Sequence, residues 1–599
     1  VIRRLLRVHD QLLPSEGKAW LVWAVLGSLV VALLDMVGIA AMMPLMLVAT
    51  RAPGHESVLD RLAPFGVHGV GAGIVVLAAA VGGVFLLKTV AAIMFRWWLL
   101  GRTSRLEGLA AANMLERYAE APYVVHRTRS NAQMNRQLDF SMSQVFGGLL
   151  NGYLMITVDA LTLILATVVL AWISPVGTVA AVVVLGGVLA VIQLVLRSHQ
   201  RRIGRELSDV AAEQWNARIP VVEGFRDVRL TTSVPFFTQQ FRETRARQAR
   251  AVRKLSILSE APRYLLEVAM VVGIGAIAAA IQLMGDTGQM IAILGVFTAA
   301  AGRMLPTLNR LGANLGEARA ATVGLEETES TLAALPAAVT THHSPQDDGS
   351  GPAPLQGDIE LQGVGFRFPD SRDWTLRGVN LRIPEGSTVA LVGSSGAGKS
   401  TVLDVLLGLF APTEGRVMCG GQDIAARPAD WHRSLGVVSQ DVFLINSSLR
   451  RNVAFGVPEG EIDDERLARA LHSAQLDDLV ADLPEGAETV LGERGIRISG
   501  GQRQRIGIAR ALYREPKVLI LDEATSALDN LTEKKLSMTL EELAGRLTIV
   551  MVAHRLSTVR SADTIVFMDQ GEVTDVGTFE EVRRSNEHFA QLVALGRVG

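Results

Sequence analysis

Cysteine is almost missing from this 599-residue chain, with Cys419 standing alone. A disulfide scaffold is therefore excluded, and a lone thiol reads as a small buried hydrophobe. Charge is scarce as well: Asp, Glu, Lys and Arg make up 20% of the residues, against about 25% in ordinary soluble chains. The net charge of −2 leaves no basic footprint for nucleic acid. No repeat of solenoid period is evident. What abounds is aliphatic: 49% of the residues are hydrophobic, which excludes a disordered or collagen-like chain and shifts the protein towards the membrane class. The length allows about three to six domains.

Hydrophobicity is concentrated before residue 315. Long apolar runs cover Trp20 to Val48, Val70 to Leu100, Val145 to Ile173, then on past Ser174-Pro175 to Leu196, Tyr264 to Met284 and Met290 to Leu311. A bilayer core of about 30 Å needs about 20 helical residues, so six transmembrane helices are expected. The segment Arg197–Arg263 carries fourteen Lys and Arg against seven acids, and Arg3, Arg4, Arg7 and Lys18 precede the first run. The loops at 50–69, 174–175 and 285–289 carry little positive charge, so the N-terminus and the two long loops are expected in the cytoplasm. The first run is too long for a signal-peptide core and reads as an anchor. Residues 335–357, rich in Pro, Gly, Thr and Asp, suit an exposed linker; His342 and His343 within it read as solvated.

From Asp358 the pattern changes to short β-rich runs alternating with helical ones, as in an α/β domain. The strand Thr388–Val392 leads into Gly393-Ser394-Ser395-Gly396-Ala397-Gly398-Lys399-Ser400, followed by Thr401 and an apolar helical stretch. Strand, Gly-rich loop and helix form a P-loop context. Glycines let backbone N–H groups approach phosphates, and the helix N-terminus adds partial positive charge. Lys399 is expected on the β- and γ-phosphates and Ser400 on Mg²⁺. A second strand, Val518–Leu521, ends in Asp522-Glu523, where carboxylates face a phosphate site. Asp522 then assists the metal and Glu523 orients or deprotonates the attacking water.

Further along, Ile498-Ser499-Gly500-Gly501-Gln502 resembles the signature motif of ABC ATPases. The other motifs follow in that family's order: Gln440 at the Q-loop, Asp529 at the D-loop and His554 at the switch histidine. Phe368 falls where many members stack adenine on a tyrosine and keeps the π-face without the hydroxyl. Six helices followed by one ATPase domain resemble a half-size ABC exporter. The architecture this implies is a transmembrane domain over 1–334, a linker over 335–357 and a nucleotide-binding domain over 358–599. It also implies ATP and Mg²⁺ as ligands, with Gln440 near the metal. Sites then form between one chain's P-loop and another's signature, so a second half-transporter is required, most simply a second copy. Transverse coupling helices are expected over 122–131 and 223–231. The expected location is a bacterial-type inner membrane, multi-pass, with the ATPase domain in the cytoplasm.

The first run, Leu34-Asp35-Met36-Val37-Gly38-Ile39 through Pro44, resembles the start of bacterial flippases for lipid-linked oligosaccharides, as does a short helix near 56–65. The resemblance implies cavity cations facing a lipid pyrophosphate, here Lys88, Arg263 and Arg303. Physics points the same way, because an ionisable residue within a span costs about 2.5–3.5 kcal/mol and is usually functional. Other readings stay open: Arg263 can snorkel, and Lys88 or Arg303 can pair with Asp35 or Asp159. Peptide or drug export is the rival within transport. A soluble ABC ATPase acting on nucleic acid is disfavoured by the six apolar runs.

Overall fold

The computed structural model describes residues 1–49, 55–62, 64, 69–173, 175–284, 287–335, 354–369, 371–492, 498–522, 530–553 and 559–594, with some helical side chains, among them those of 280–297 and Arg303, outside the description. It comprises two compact units: Val1–Ala121 with Val125–Thr340, and Pro122–Val124 with Thr341–Gly599. The expected 335–357 linker and its two histidines lie largely outside the described residues.

The first unit is helical. Its opening helix, Ile2–Leu12, buries Leu5, Val8, His9 and Leu12 and exposes Arg3 and Arg7, the spacing of one amphipathic face. Six long helical stretches follow: Ala19–Ala49, Val70–Ala119, residues 131–173, residues 175–223, Val234–Met284 and Thr287–Ala334. Among the described residues, Ala19–Gly38, Val70–Ala119, Asn131–Trp172 and Thr178–Glu223 are long and apolar enough to cross a membrane. The runs expected at 264–284 and 290–311 fall on the last two helices and reach into undescribed side chains. A helix of 50 residues is about 75 Å long, more than twice the bilayer core, so these helices project well beyond lipid. Short helices at His55–Leu62, Tyr123–Thr128 and Phe225–Leu230 stand where the external helix and the two coupling helices are expected.

Small residues set the close approach of the long helices. A Cβ on Gly204 would sit 2.4 Å from the Ala320 carbonyl oxygen, and one on Gly148 would sit 2.9 Å from the Ala321 Cβ. Contacts this tight let the helix backbones approach more closely than any larger side chain at these glycines would allow. The stretches Arg136–Ser141 and Ser143–Leu150 are π-helical. Polar bonds hold them to the last helix: Gln137 donates to the Thr328 hydroxyl (2.9 Å) and Ser141 to the Glu327 carboxylate (2.8 Å).

The second unit is α/β. Strands β1 (Ile359–Phe366), β2 (Leu376–Ile383), β4 (Glu414–Cys419) and β5 (Gln422–Asp423) make an antiparallel sheet ordered β2-β1-β4-β5. Strands β3 (Thr388–Gly393), β6 (Leu435–Val438), β7 (Val518–Asp522), β8 (Thr548–Val552), β9 (Thr564–Asp569) and β10 (Glu572–Gly577) make a second, ordered β10-β9-β3-β8-β7-β6. All its pairings are parallel except β10 with β9. The central strands read as near-continuous apolar runs because both faces are covered. Ala390, Val392, Leu519, Leu521, Ile549 and Met551 enter one core, and Val389, Leu391, Val518, Ile520, Val550 and Val552 the other. Cys419 is buried in that second core, and burial pushes its thiol up to about 11. Pro122–Val124 belongs to this unit, with the Tyr123 ring 5.5 Å from that of Phe410.

Candidate functional site

β3 ends at Gly393, whose φ of 155° and close approach to the Met568 carbonyl oxygen, 2.1 Å from where a Cβ would stand, admit only glycine. The chain then curls through Ser394, Ser395 and Gly396 (φ 85°) to Ala397 and Gly398 (φ 98°). Two backbone bonds fix the curl: Ala397 N–H donates to Ser394 O, and Gly571 N–H to Ala397 O, both at 3.1 Å. Gly398 caps the helix Lys399–Leu406 in a left-handed conformation, leaving that helix's first N–H groups directed into the curl.

Lys399 is only 6% exposed. Its ammonium donates to the carbonyl oxygens of Gly393 (2.6 Å) and Ser394 (3.0 Å), so the charge is held over the loop. A triphosphate fits this arrangement: a glycine-lined concavity, a helix N-terminus and a buried cation, with Ser400 exposed at the rim and Thr401 half-buried beside it.

Sheet order brings the other motifs to the same edge. β8 lies between β3 and β7, with Leu391 and Asp522 both paired to Val552. Asp522 therefore ends its strand level with the start of the P-loop. β6 pairs Val438 with Leu521, and exposed Gln440 follows two residues on. Ala553, whose N–H donates to Leu391 O at 3.3 Å, immediately precedes His554. Glu523, Asp529 and His554 themselves lie outside the described residues. The carboxyl edge of a parallel sheet is where ligands bind in open α/β folds.

The signature segment starts a separate helix, Gly500–Tyr513. Ser499 Oγ accepts from Gln502 N–H (3.2 Å), and the Gln502 side chain accepts from Ser499 N–H (2.8 Å), a complete capping box. Ser499 and Gly500 are exposed, and Gly501 and Gln502 half-buried, so the helix N-terminus faces outward, ready for an anion. Phe368 is half-buried and stands edge-on to Phe366 (5.1 Å) and Phe410 (5.6 Å).

In the helical unit, Lys88 forms an ion pair with Asp35, their side chains 23% and 13% exposed. Arg263 bonds Glu267 one turn away at 3.1 Å and is exposed. No hydrogen bond or ion pair joins Lys88 to Arg263 among the described residues, and the Arg303 side chain lies outside them. Asp159 takes Arg310 and Asn314 as its partners. Arg310 is a cation that the reading of apolar runs passed over, because it stands at the very end of one. A signal was present: Asp159 in mid-run requires a partner.

The ABC transporter family profile matches residues 376–526. An "ATP-dependent lipid A-core flippase" of Cupriavidus pinatubonensis is 32% identical over 92% of this chain and 93% of its own length. One of the same description from Alkalilimnicola ehrlichii is 32% identical over 80% of each chain. Among solved structures, a bacterial Atm1-family ABC exporter with ATP bound superposes with a TM-score of 0.74 at 25% identity, covering 97% of this chain and 99% of that one.

Proposed function

The chain belongs to the ABC exporter family as a half-transporter, an ATPase coupled to transport, and we propose that it flips a lipid-linked glycan with an anionic headgroup across the cytoplasmic membrane. The observation that carries the choice of substrate is the near-full-length match to flippases named for a lipid A-core load. Ionisable side chains inside the apolar helices, Asp35, Lys88, Asp159 and Arg310, agree with a polar load. A lipid-linked oligosaccharide on a polyprenyl pyrophosphate shares the chemistry of an acyl or prenyl tail joined to an anionic sugar head. A drug load is less favoured, since the chain has only five tyrosines and 5% aromatic residues.

In this reading Ser400, Gln440 and Asp522 would hold Mg²⁺, which would supply neutralisation of the phosphate charge. Lys399 leaves the carbonyls of Gly393 and Ser394 for the phosphate oxygens. Glu523 orients the attacking water, and His554 holds the γ-phosphate side. Ser499, Gly500, Gly501 and Gln502 of a second copy close over the triphosphate, with Asp529 at the seam. The cap at Ser499 is already formed within the single chain, so closure needs no refolding of the signature helix. Closure turns the cavity outward, and hydrolysis resets it.

The test is reconstitution in liposomes with a lipid A-core glycolipid, a polyprenyl-pyrophosphate glycan, a peptide and a cationic drug. ATP-dependent flipping of either glycolipid supports the proposal. Movement of only the peptide or the drug leaves the exporter and removes the glycolipid.

A further inference from the structure

Resting on that reading, we infer that Arg310 is a headgroup-binding residue, held ready by Asp159, Asn314 and Thr307. Asp159 sits in the middle of an apolar span, and its side chain is only 5% exposed. Both carboxylate oxygens are occupied: Arg310 Nε donates to Oδ1 at 3.1 Å and Asn314 Nδ2 to Oδ2 at 3.0 Å. The anion is thereby satisfied at a depth where an isolated charge is expensive.

Arg310 is placed quite differently. Its side chain is 57% exposed although its anchor is buried. Nη2 donates to the Thr307 hydroxyl at 3.3 Å, and Thr307 is itself buried. Two bonds on one edge of a planar fork fix its orientation. Among the described residues Nη1 has no protein acceptor, so the outer edge of the guanidinium presents N–H donors suited to two oxygens of one phosphate.

Lys88 is a poorer headgroup contact at rest. It is ion-paired with Asp35, and both side chains are mostly covered. Arg263 shares its charge with Glu267 on its own helix. Among these described cations, Arg310 combines a buried carboxylate partner with an exposed side chain.

Two probes separate the possibilities: a polyprenyl pyrophosphate and the polyprenol with the same tail, each titrated against the full-length protein in nanodiscs. Wild type is expected to prefer the pyrophosphate. Arg310→Ala is expected to lose about tenfold or more in affinity for it and to keep its affinity for the alcohol, with Arg310→Lys recovering part of the loss. Because Arg310→Ala strands Asp159, the double variant Arg310→Ala with Asp159→Asn is measured beside it and is expected to show the same selective loss. An equal loss for both lipids, or no loss, assigns Arg310 a purely structural role and overturns the inference. If wild type itself fails to distinguish the two lipids, the anionic-headgroup reading falls first and takes Arg310 with it.

Discussion

Lys399 and Gly393 stand at opposite ends of one loop and are joined by a 2.6 Å hydrogen bond from the ammonium to the carbonyl oxygen. The cation is thus parked on the loop's own backbone, and phosphate binding exchanges carbonyl acceptors for phosphate oxygens. A charge-assisted bond contributes about 1.5–3 kcal/mol. Lys399→Ala is expected to weaken MgATP binding by about 10- to 100-fold, read by calorimetric titration. Unchanged affinity would remove Lys399 from the phosphate site.

Glu523→Gln separates binding from turnover. The amide keeps the size of the carboxylate but cannot accept the water's proton, so nucleotide affinity should persist while ATP turnover falls by about 10²-fold or more. Single-turnover hydrolysis at wild-type speed would give the base role to another residue.

Much of the ATPase half is legible in sequence because its constraints are local. Strand–glycine–lysine–helix order fixes the loop, and the alternation of Val389, Ala390, Leu391 and Val392 fixes which side chains enter which core. The membrane half is less so. Apolar runs mark the spans, but which cation meets which acid depends on helix rotation and tilt, which hydropathy does not encode. Pairing of Asp35 with Lys88 was an open alternative that the structure contains. Asp159 takes Arg310, seven residues beyond Arg303, whose side chain lies outside the described residues. Adding a period of two helical turns leaves the same face exposed to the neighbour, so spacing alone does not choose between them. The π-helical stretches from Arg136 to Leu150 carry no sequence signature, since they differ from an α-helix only in hydrogen-bond register.

The Asp35–Lys88 pair can be tested apart from transport. Lys88→Ala leaves a largely buried carboxylate without its cation, and breaking such a pair costs about 3–5 kcal/mol. The double variant Asp35→Leu with Lys88→Met removes both charges and should recover thermal stability to near wild type. If that double variant also binds a polyprenyl pyrophosphate normally, Lys88 is structural. Selective loss of the pyrophosphate lipid would return it to the headgroup site.

His9 gives a prediction in pH. It is 4% exposed on the opening helix, beside Leu5, Val8 and Leu12, and among the described residues neither ring nitrogen has a hydrogen-bond partner. Burial lowers its pKa, opposed by the Asp10 carboxylate 3.6 Å from Nδ1, while Lys18, bonded to the same carboxylate, adds to the lowering. A base whose folded pKa is depressed is neutral in place and takes a proton when released. The released state therefore binds more protons as pH falls through about 6.5, and docking of the helix weakens below that value. Corrected for intrinsic exchange rates, the protection of residues 2–12 should fall between pH 7.5 and 5.5, while that of helices distant from it changes little. His9→Leu keeps the apolar contact and removes the titration, so its exchange profile should be flat over the same range once corrected for intrinsic rates. If wild type and His9→Leu lose protection equally on acidification, another group controls the helix.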